Sequence, residues 1–219
     1  ESMEQEQEPK KPFILPEANR TMHRAFAYLV KTRCLDPKVV SVFARRHMIY
    51  EDAKYHNAVF VGFDVDGIPR HAHKRGTCQR GKPFKGNVES CDPRYSFHWI
   101  GKSDTVYVFE APIDMLSFIS MYQKDWMGHS YVALCGVAEH ALVQLLEDVP
   151  HLSKITLCLD HDKAGIEAGE RIKKRLSERG YRNVFPLFSC QKDWNEDLQA
   201  LQKPPPEFVA ECQTVTQMM

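Results

Sequence analysis

Residues 157–165 read LCLDHDKAG, in which an apolar run passes through two aspartates, one residue apart, into a glycine-containing turn. Such a run, followed at once by a long helical pattern, is typical of a buried strand in a parallel sheet. Residues 104–203 hold three more apolar runs, TVYVFE, YVALCG and NVFPLFS, and a helical pattern follows each of them. Alternating strands and helices predict right-handed crossovers, a mainly parallel sheet and helices on both of its faces. We therefore predict an α/β fold for this half of the chain.

The first half of the chain has a different pattern, which predicts a smaller α+β domain over residues 13–103. Apolar residues over 19–30 have helical spacing. Asp36 followed by Pro37 is typical of an N-cap and a first-turn proline, and predicts a second helix that extends through Phe43.

A hairpin is predicted next, and the two ends of the chain are left out of the fold. Asp66-Gly67 is a hairpin signal that pairs residues 58–65 with residues 69–74. Residues 1–12 consist almost entirely of Glu, Gln, Lys and Pro, so we expect a disordered leader or linker there. Residues 204–219 begin with three prolines and are expected to form an irregular tail.

Composition excludes several classes of protein. No apolar stretch approaches the roughly 20 residues of a spanning helix, and the polar N-terminus lacks the apolar centre of a signal peptide. We therefore expect a cytoplasmic protein with no membrane partner. Seven cysteines are an odd number and include no CxxC pair, which argues against a disulfide framework and against a cysteine-rich zinc site.

The net charge of zero conceals two halves of opposite sign. Residues 13–103 carry 16 Lys and Arg against 8 Asp and Glu, whereas residues 104–203 carry 11 against 15. The basic half suits a polyanion and the acidic half suits a cation, although a solvated surface without a partner has the same composition.

Carboxylates follow three of the four predicted strands. Because ligands in open parallel sheets bind beyond the carboxyl ends of the strands, these side chains are expected to meet in one crevice. Oxygen ligands without a His-Cys set favour a hard cation, Mg²⁺ or Mn²⁺. The candidate residues are Glu110, Asp114, Asp160, Asp162, Asp193 and Glu196. Such a site predicts phosphoryl or nucleotidyl transfer, or phosphodiester cleavage.

Ordinary structural roles remain open for the same residues. Asp114 lies in a predicted first helical turn, where an acid opposes the helix dipole. Asp160 and Asp162 have the composition of a turn or an N-cap ahead of a helix. Lys163 is either a phosphate contact or a solvated first-turn residue. Carboxylates at the ends of three predicted strands are harder to explain by separate structural roles, which favours the metal site.

At FEAPID, LCLDHDKAG and KDWNED the sequence resembles the toprim domain of bacterial DNA primases, topoisomerases and some nucleases and recombination proteins. The resemblance covers residues 104–203 and implies a Rossmann-like toprim sheet. It implies that Glu110 is the catalytic acid or base and that Asp114, Asp160, Asp162 and Asp193 belong to the metal site.

Two further features of this resemblance concern the site. LCGVAEHAL is similar to the turn after the second toprim strand and places Gly136 near the site. Ala111 and Asn195 depart from the pattern, because primases have glycine and aspartate there. The second departure implies weaker binding of a second metal ion.

At ILPEANRTMHRAFAYLVKTRCLDP, YEDAKYHNAVFVGFD and HAHKRGT the N-terminal half resembles the domain of unknown function that precedes a primase-like toprim domain in proteins of bacterial plasmids and conjugative elements. Residues 70–86, RHAHKRGTCQRGKPFKG, carry six Lys and Arg and no acid, and offer contacts to nucleic acid or phosphate. A basic hairpin edge that discourages aggregation has the same composition. The predicted contacts are Arg70, Lys74, Arg75, Arg80, Lys82 and Lys85, together with Lys163.

Taken together, the sequence predicts a primase-like enzyme that uses Mg²⁺ or Mn²⁺ to join nucleotides on single-stranded DNA, in the replication or transfer of a mobile element. Its expected partners are single-stranded DNA and nucleoside triphosphates, and the resemblance adds an upstream zinc-binding module or a replicative helicase. A metal-dependent toprim nuclease and a non-catalytic nucleic-acid adaptor remain alternatives. A topoisomerase is disfavoured, because the chain has no room for the separate domain that carries the tyrosine nucleophile.

Overall fold

The structure is a computed structural model that describes residues 11–78, 83–136 and 138–202. Residues 1–10 of the predicted leader, the predicted contacts Arg80 and Lys82, and the predicted tail lie outside the described residues. No helix within the described ranges is long and apolar enough to cross a membrane.

The chain begins with two short helices. Helix α1 spans His23–Ala27 and continues as a π-helical turn, Tyr28–Thr32, and α2 spans Pro37–Arg45. The Asp36 carboxylate accepts hydrogen bonds from the backbone N–H groups of Lys38 and Val39, which confirms the predicted N-cap of α2.

The helix predicted over residues 19–30 begins later than expected, because a strand contact holds the preceding residues in place. The Asn19 N–H donates to the Glu51 carbonyl oxygen. The Glu51 carboxylate accepts from the N–H of Ala25 at 2.9 Å and so satisfies a donor in the first turn of α1. This cap comes from a distant strand, which is why the local sequence did not indicate where the helix begins.

Four antiparallel strands form the first sheet, in the order β1-β2-β3-β4. They are β1 Ile49–Glu51, β2 Ala58–Phe63, β3 Pro69–Arg75 and β4 Lys85–Asn87. The predicted hairpin is confirmed, and Gly67 takes the positive φ of 76° that its turn requires. The outer strands β1 and β4 were not predicted, because three residues are too few for a periodic pattern.

Five strands form the second sheet, in the order β5-β7-β6-β8-β9. They are β5 His98–Trp99, β6 Thr105–Phe109, β7 Ser130–Ala133, β8 Lys154–Leu157 and β9 Asn183–Pro186. All pairs are parallel except β5 with β7, so the predicted mainly parallel α/β fold is confirmed. The helices are α3 Pro112–Met121, α4 His140–Asp148, α5 Lys163–Glu178 and α6 Trp194–Gln202. Strand β5 was missed, because two residues carry no period.

Helices cover both faces of this sheet, as the alternation along β6 shows. Val106 and Val108 pack in one apolar cluster with α4 and α5, whereas Tyr107 and Phe109 pack in another with α3 and α6. The second cluster also contains residues of α2 and β2, so the N-terminal layer shares a core with the parallel sheet. This shared core fixes the antiparallel sheet against the end of the parallel one.

Helix α5 approaches the end of β8 so closely that only glycine fits at the contact. A Cβ on Gly165 would lie 2.0 Å from the carbonyl oxygen of Asp160, whereas a Cβ on Gly169 would make an ordinary 3.8 Å contact with Leu159. We expect Gly165→Ala to lower the free energy of unfolding by at least about 2 kcal/mol through backbone displacement. Gly169→Ala, in the same helix, should raise it by about 0.5–1 kcal/mol. Urea denaturation of the two variants measures both effects, and equal stability would contradict the contact.

A buried histidine on β3 makes the stability of the fold sensitive to acid. Burial lowers the pKa of His71 from 6.5 to about 4, and its Nδ1 has no hydrogen-bond partner within the described residues. The unfolded chain therefore binds a proton below pH 6.5 that the folded chain does not.

We expect His71 to lower the free energy of unfolding by about 3 kcal/mol in all as the pH falls from about 6.5 to about 4. His71→Gln should flatten the dependence of unfolding free energy on pH in that window, measured by urea titration at several pH values. His151→Gln, which replaces an exposed histidine, is the control. An unchanged pH dependence in His71→Gln would refute the expectation.

Candidate functional site

A cavity of about 500 Å³ lies where the carboxyl edge of the parallel sheet meets the antiparallel sheet. Both halves of the chain line it. The first half contributes Arg33, Phe60, His73, Arg75, Lys85, Gly86 and Asn87. The second half contributes Glu110, Ala111, Pro112, Ile113, Asp114, Cys135, Gly136, Asp160, Lys192, Asp193 and Asn195. Four of the predicted carboxylates and Gly136 thus line one cavity.

The acidic side of the cavity is partly buried, and its members repel one another. Burial, with the nearby charges of Glu110 and Asp193, raises the pKa of Asp160 to about 7. Burial also raises the pKa of Glu110, with a smaller effect from Asp162. Asp114, in the first turn of α3, is buried, and this burial with the charge of Asp193 raises its pKa well above the usual range. A cation at this place would relieve both costs.

Local structure explains how each carboxylate reaches the cavity. Glu110 directly follows β6, and Pro112 opens α3, so Asp114 falls in the first helical turn as predicted. The backbone N–H of Asn195 donates to an Asp114 carboxylate oxygen at 3.2 Å. Asp193 precedes α6, and its carboxylate accepts from the Glu196 N–H at 2.8 Å.

A basic wall faces these acids from the N-terminal half. The Tyr28 hydroxyl accepts hydrogen bonds from Arg33 Nε at 2.8 Å and from Arg75 Nε at 3.4 Å. Arg33 also donates to the amide oxygen of Asn195 at 3.2 Å. Because these partners are neutral, the contacts leave both guanidinium charges available to an anion. Lys85 pairs with Arg75 across β3 and β4 and lines the same wall.

The family described as "Toprim-like" matches residues 107–198. We refer to this matched range as the Toprim-like domain. The family described as "Protein of unknown function (DUF3991)" matches residues 27–103. Both resemblances seen in the sequence are therefore confirmed.

Curated relatives share this sequence at low identity. An uncharacterised protein of Bacillus anthracis is 24% identical over 202 residues, which are 82% of this chain and 58% of the relative. An uncharacterised protein of Mycoplasma genitalium is 30% identical over 97 residues, 43% of this chain and 42% of the relative. The chain thus spans about half the length of these relatives.

Solved primase structures share the fold. The DnaG catalytic core superposes with a TM-score of 0.57 at 16% identity, over 90% of this chain and 74% of that one. The DnaG catalytic domain bound to single-stranded DNA gives 0.58 at 16% identity, over 90% and 75%. The primase fragment of the bacteriophage T7 primase-helicase gives 0.56 at 18% identity, over 76% and 66%. At these identities the likeness shows the fold alone.

Two predicted carboxylates of the Toprim-like domain lie beside the cavity lining. Asp162 is the N-cap of α5, and its carboxylate accepts from the Gly165 N–H at 2.9 Å. Its other oxygen lies 3.7 Å from Lys192 Nζ. Glu196, in the first turn of α6, accepts from the Lys192 N–H at 3.3 Å. The N-cap role that the sequence left open is therefore the one Asp162 has in this structure.

Some of the predicted basic residues line the cavity, and others lie outside its lining. Arg75 and Lys85 line the cavity. Arg70 instead forms an ion pair of 2.6 Å with Asp64 on the hairpin. The remaining two described residues also have partners elsewhere. Lys74 lies over the Phe84 ring, and Lys163 lies 3.9 Å from Glu167.

Several lining residues were missed by the sequence interpretation. Arg33 reaches Asn195 across 162 positions of the chain, a contact that no local pattern indicates. His73 and Asn87 bond each other at 2.7 Å across β3 and β4, and β4 itself was not predicted. Lys192 had a signal, since it opens the KDWNED motif that resembles the primase sequence.

The carboxylates fit a hard divalent cation by chemistry and position. Glu110 and Asp160 line one cavity, are partly buried and have raised pKa values, as expected of anions that lack a cation. In the orientations shown, no three His, Cys, Asp or Glu side chains among the described residues are grouped closely enough to hold an ion. A full ligand set therefore requires side-chain rotation, water or substrate oxygens, which Mg²⁺ commonly uses.

Asn195 ties the Toprim-like domain to the N-terminal half. Its side-chain NH₂ donates to the Arg33 carbonyl oxygen at 2.8 Å and to the Ser117 hydroxyl at 2.9 Å. Its amide oxygen accepts from Arg33, and from Gln199 at 2.7 Å. Only 2% of the residue is exposed, so water cannot replace these partners.

We expect Asn195→Ala to lower the free energy of unfolding by about 1–3 kcal/mol, because buried donors and acceptors lose their partners. Chemical denaturation followed by tryptophan fluorescence measures the change. Gln202→Ala is the control, since Gln202 also donates to the N-terminal half, at the Cys34 carbonyl oxygen, but lies exposed. If the two variants lost equal stability, the buried network would not be what joins the two halves.

Proposed function

We propose that the cavity catalyses primase-like nucleotidyl transfer on a single-stranded DNA template with Mg²⁺ or Mn²⁺. The observation that carries the proposal is that one cavity holds carboxylates on one side and, on the other, a basic wall that forms no ion pair among the described residues. Carboxylates that need a cation and guanidinium groups that need an anion together suit a metal-bound triphosphate. The proposed role in the replication or transfer of a mobile element comes from the family resemblance.

In this proposal Asp160 and Asp162 hold the cation, and Glu110, which lines the cavity with Asp160, is the catalytic base. When bound, the cation stabilises the charge that develops on the phosphate oxygens. Asp193 and Asp114 also line the cavity, and the Asp114 carboxylate accepts a hydrogen bond from the Asn195 N–H. Gly136 lines the cavity, and Glu196 lies near it, where its carboxylate accepts a hydrogen bond from the Lys192 N–H.

The basic wall binds the polyphosphate and the template backbone. Arg33 and Arg75 are held by Tyr28, which fixes the guanidinium groups before an anion arrives. Lys85 adds a third charge on the same wall. Arg70, Lys74, Arg80, Lys82 and Lys163 lie outside this wall or outside the described residues, and we keep them as contacts to a longer nucleic acid.

The reaction joins a 3′-hydroxyl oxygen to the α-phosphorus of a nucleoside triphosphate. The bond from that phosphorus to pyrophosphate breaks, and the leaving group departs with its electron pair. Glu110 accepts the proton of the hydroxyl as the general base. Single-stranded DNA and nucleoside triphosphates are thus the proposed partners. An upstream zinc-binding module or a replicative helicase is a further proposed partner.

We expect Asp160→Asn to reduce turnover by about 100-fold or more, because it removes a carboxylate that holds the cation. The variant should keep or gain unfolding free energy, since the change also removes repulsion from Glu110 and Asp193. The assay measures Mg²⁺-dependent incorporation of labelled nucleotides on a single-stranded template. Glu167→Gln, on the exposed face of α5, is the matched control.

A parallel assay with labelled DNA and no nucleotides separates the alternatives. Metal-dependent cleavage without incorporation would replace the primase proposal with a nuclease. DNA binding with neither activity would leave a non-catalytic adaptor. Undiminished incorporation by Asp160→Asn would remove the assigned metal site.

A further inference from the structure

His161 lies between Asp160 and Asp162 and is turned away from the acidic cluster. Its backbone N–H donates to the Lys192 carbonyl oxygen at 2.6 Å, and its ring Nδ1 bonds the Ser189 carbonyl oxygen at 2.8 Å. Because a carbonyl oxygen only accepts, Nδ1 is the ring nitrogen that carries a proton. These two bonds fix the imidazole beside the cavity.

The fixed imidazole stacks on Phe188, which follows β9. The two ring centroids are 4.9 Å apart and the planes differ by 23°. His161 is exposed, and 41% of Phe188 is exposed as well. An aromatic pair normally gains by full burial, yet this one stays at the surface next to a residue that lines the cavity.

We propose that the His161–Phe188 pair is a stacking platform for a nucleobase. A flat, sequence-tolerant ring surface beside charged groups is the feature with which proteins hold unpaired bases. Asp160 adjoins His161 in the chain and lines the cavity, so the platform lies on the segment that carries a proposed metal ligand. The inference rests on the proposed function, because it assigns the base of the substrate or template to a place beside that cavity.

The charges around the pair favour a nucleotide over a protein partner. Lys192 contributes the carbonyl oxygen that holds the His161 N–H, and its ammonium lies 3.7 Å from the Asp162 carboxylate. Phe185 and Leu187 are also exposed on this segment, but a protein interface needs a contiguous apolar centre, and charged groups border the ring pair here. A base needs only one ring face for stacking, and Lys192 offers its phosphate a positive charge nearby.

The test uses 2-aminopurine, whose fluorescence falls when the base stacks on a ring. One arm measures a single-stranded oligonucleotide with one 2-aminopurine, and the other measures 2-aminopurine riboside triphosphate. Wild type is compared with Phe188→Leu and with His161→Gln. The matched control is Phe185→Leu, because Phe185 is 57% exposed on β9 and, among the described residues, stacks on no ring. An abasic oligonucleotide of equal length isolates the phosphate contribution.

We expect Phe188→Leu to lose the quenching and to bind the base-containing ligand about 5- to 100-fold more weakly. His161→Gln should show a smaller loss, since one ring of the pair remains. Phe185→Leu should match wild type, and binding of the abasic oligonucleotide should change in none of them. The arm that shows the loss identifies the base as that of the template or of the triphosphate.

Other outcomes would overturn the platform. Wild-type quenching in Phe188→Leu, or an equal loss with the abasic oligonucleotide, would each do so. A changed oligomeric state in sedimentation with unchanged quenching would show that Phe188 contacts protein instead. Failure of the proposed function gives a different result. If quenching depends on Phe188 but no nucleotide is incorporated, the platform is retained and the catalytic assignment is removed. If nucleotides are incorporated without such quenching, the catalytic assignment is retained and the platform is removed.

Discussion

The confinement of like charges at the carboxyl edge of the parallel sheet is the constraint on which the rest of the structure depends. The topology places Glu110 after β6, Asp160 after β8 and Asp193 after β9, so carboxylates from distant parts of the chain share one space. Burial makes the negative charges of Glu110 and Asp160 more costly than they are in water and so raises the pKa of both. A fold that keeps such a cluster must compensate for it nearby.

Opposing charge comes from Lys192 in the same half, which acts on Glu110 and Asp160, and from Lys85 in the layer that the N-terminal half adds. The aromatic residues Phe43, Phe60, Phe97 and Trp99 join this layer to the parallel sheet in one continuous core. That core brings Arg33 and Arg75 opposite the carboxylates, and Tyr28 holds both guanidinium groups. The same packing that stabilises the fold thereby gives the cavity one acidic side and one basic side. Both halves of the chain contribute to the lining of this cavity.

The sequence allowed much of this to be predicted, and what it missed has a common physical cause. Strands β6 to β9 and the helices between them follow from local periodicity, and the positions of Glu110 and Asp114 follow from strand ends and from Pro112. Strand β5 and Arg33 depend on partners far away in the chain, namely β7 and Asn195. Contacts of that kind leave no periodic trace. Asp162 was ambiguous for a different reason: an N-cap and a metal ligand have the same residue preference.

The two departures from the primase pattern differ in their physical meaning. Ala111 has φ −131° and ψ 154°, an extended conformation that any residue adopts, so the chain has no conformational need for glycine there. Asn195 instead changes what its position does. An aspartate there would add another buried negative charge next to Asp114, whereas the amide donates to the Arg33 carbonyl and the Ser117 hydroxyl and accepts from the Arg33 guanidinium. The position thus joins the two halves of the cavity in this chain, and Arg33 keeps a neutral partner that leaves its charge for a phosphate.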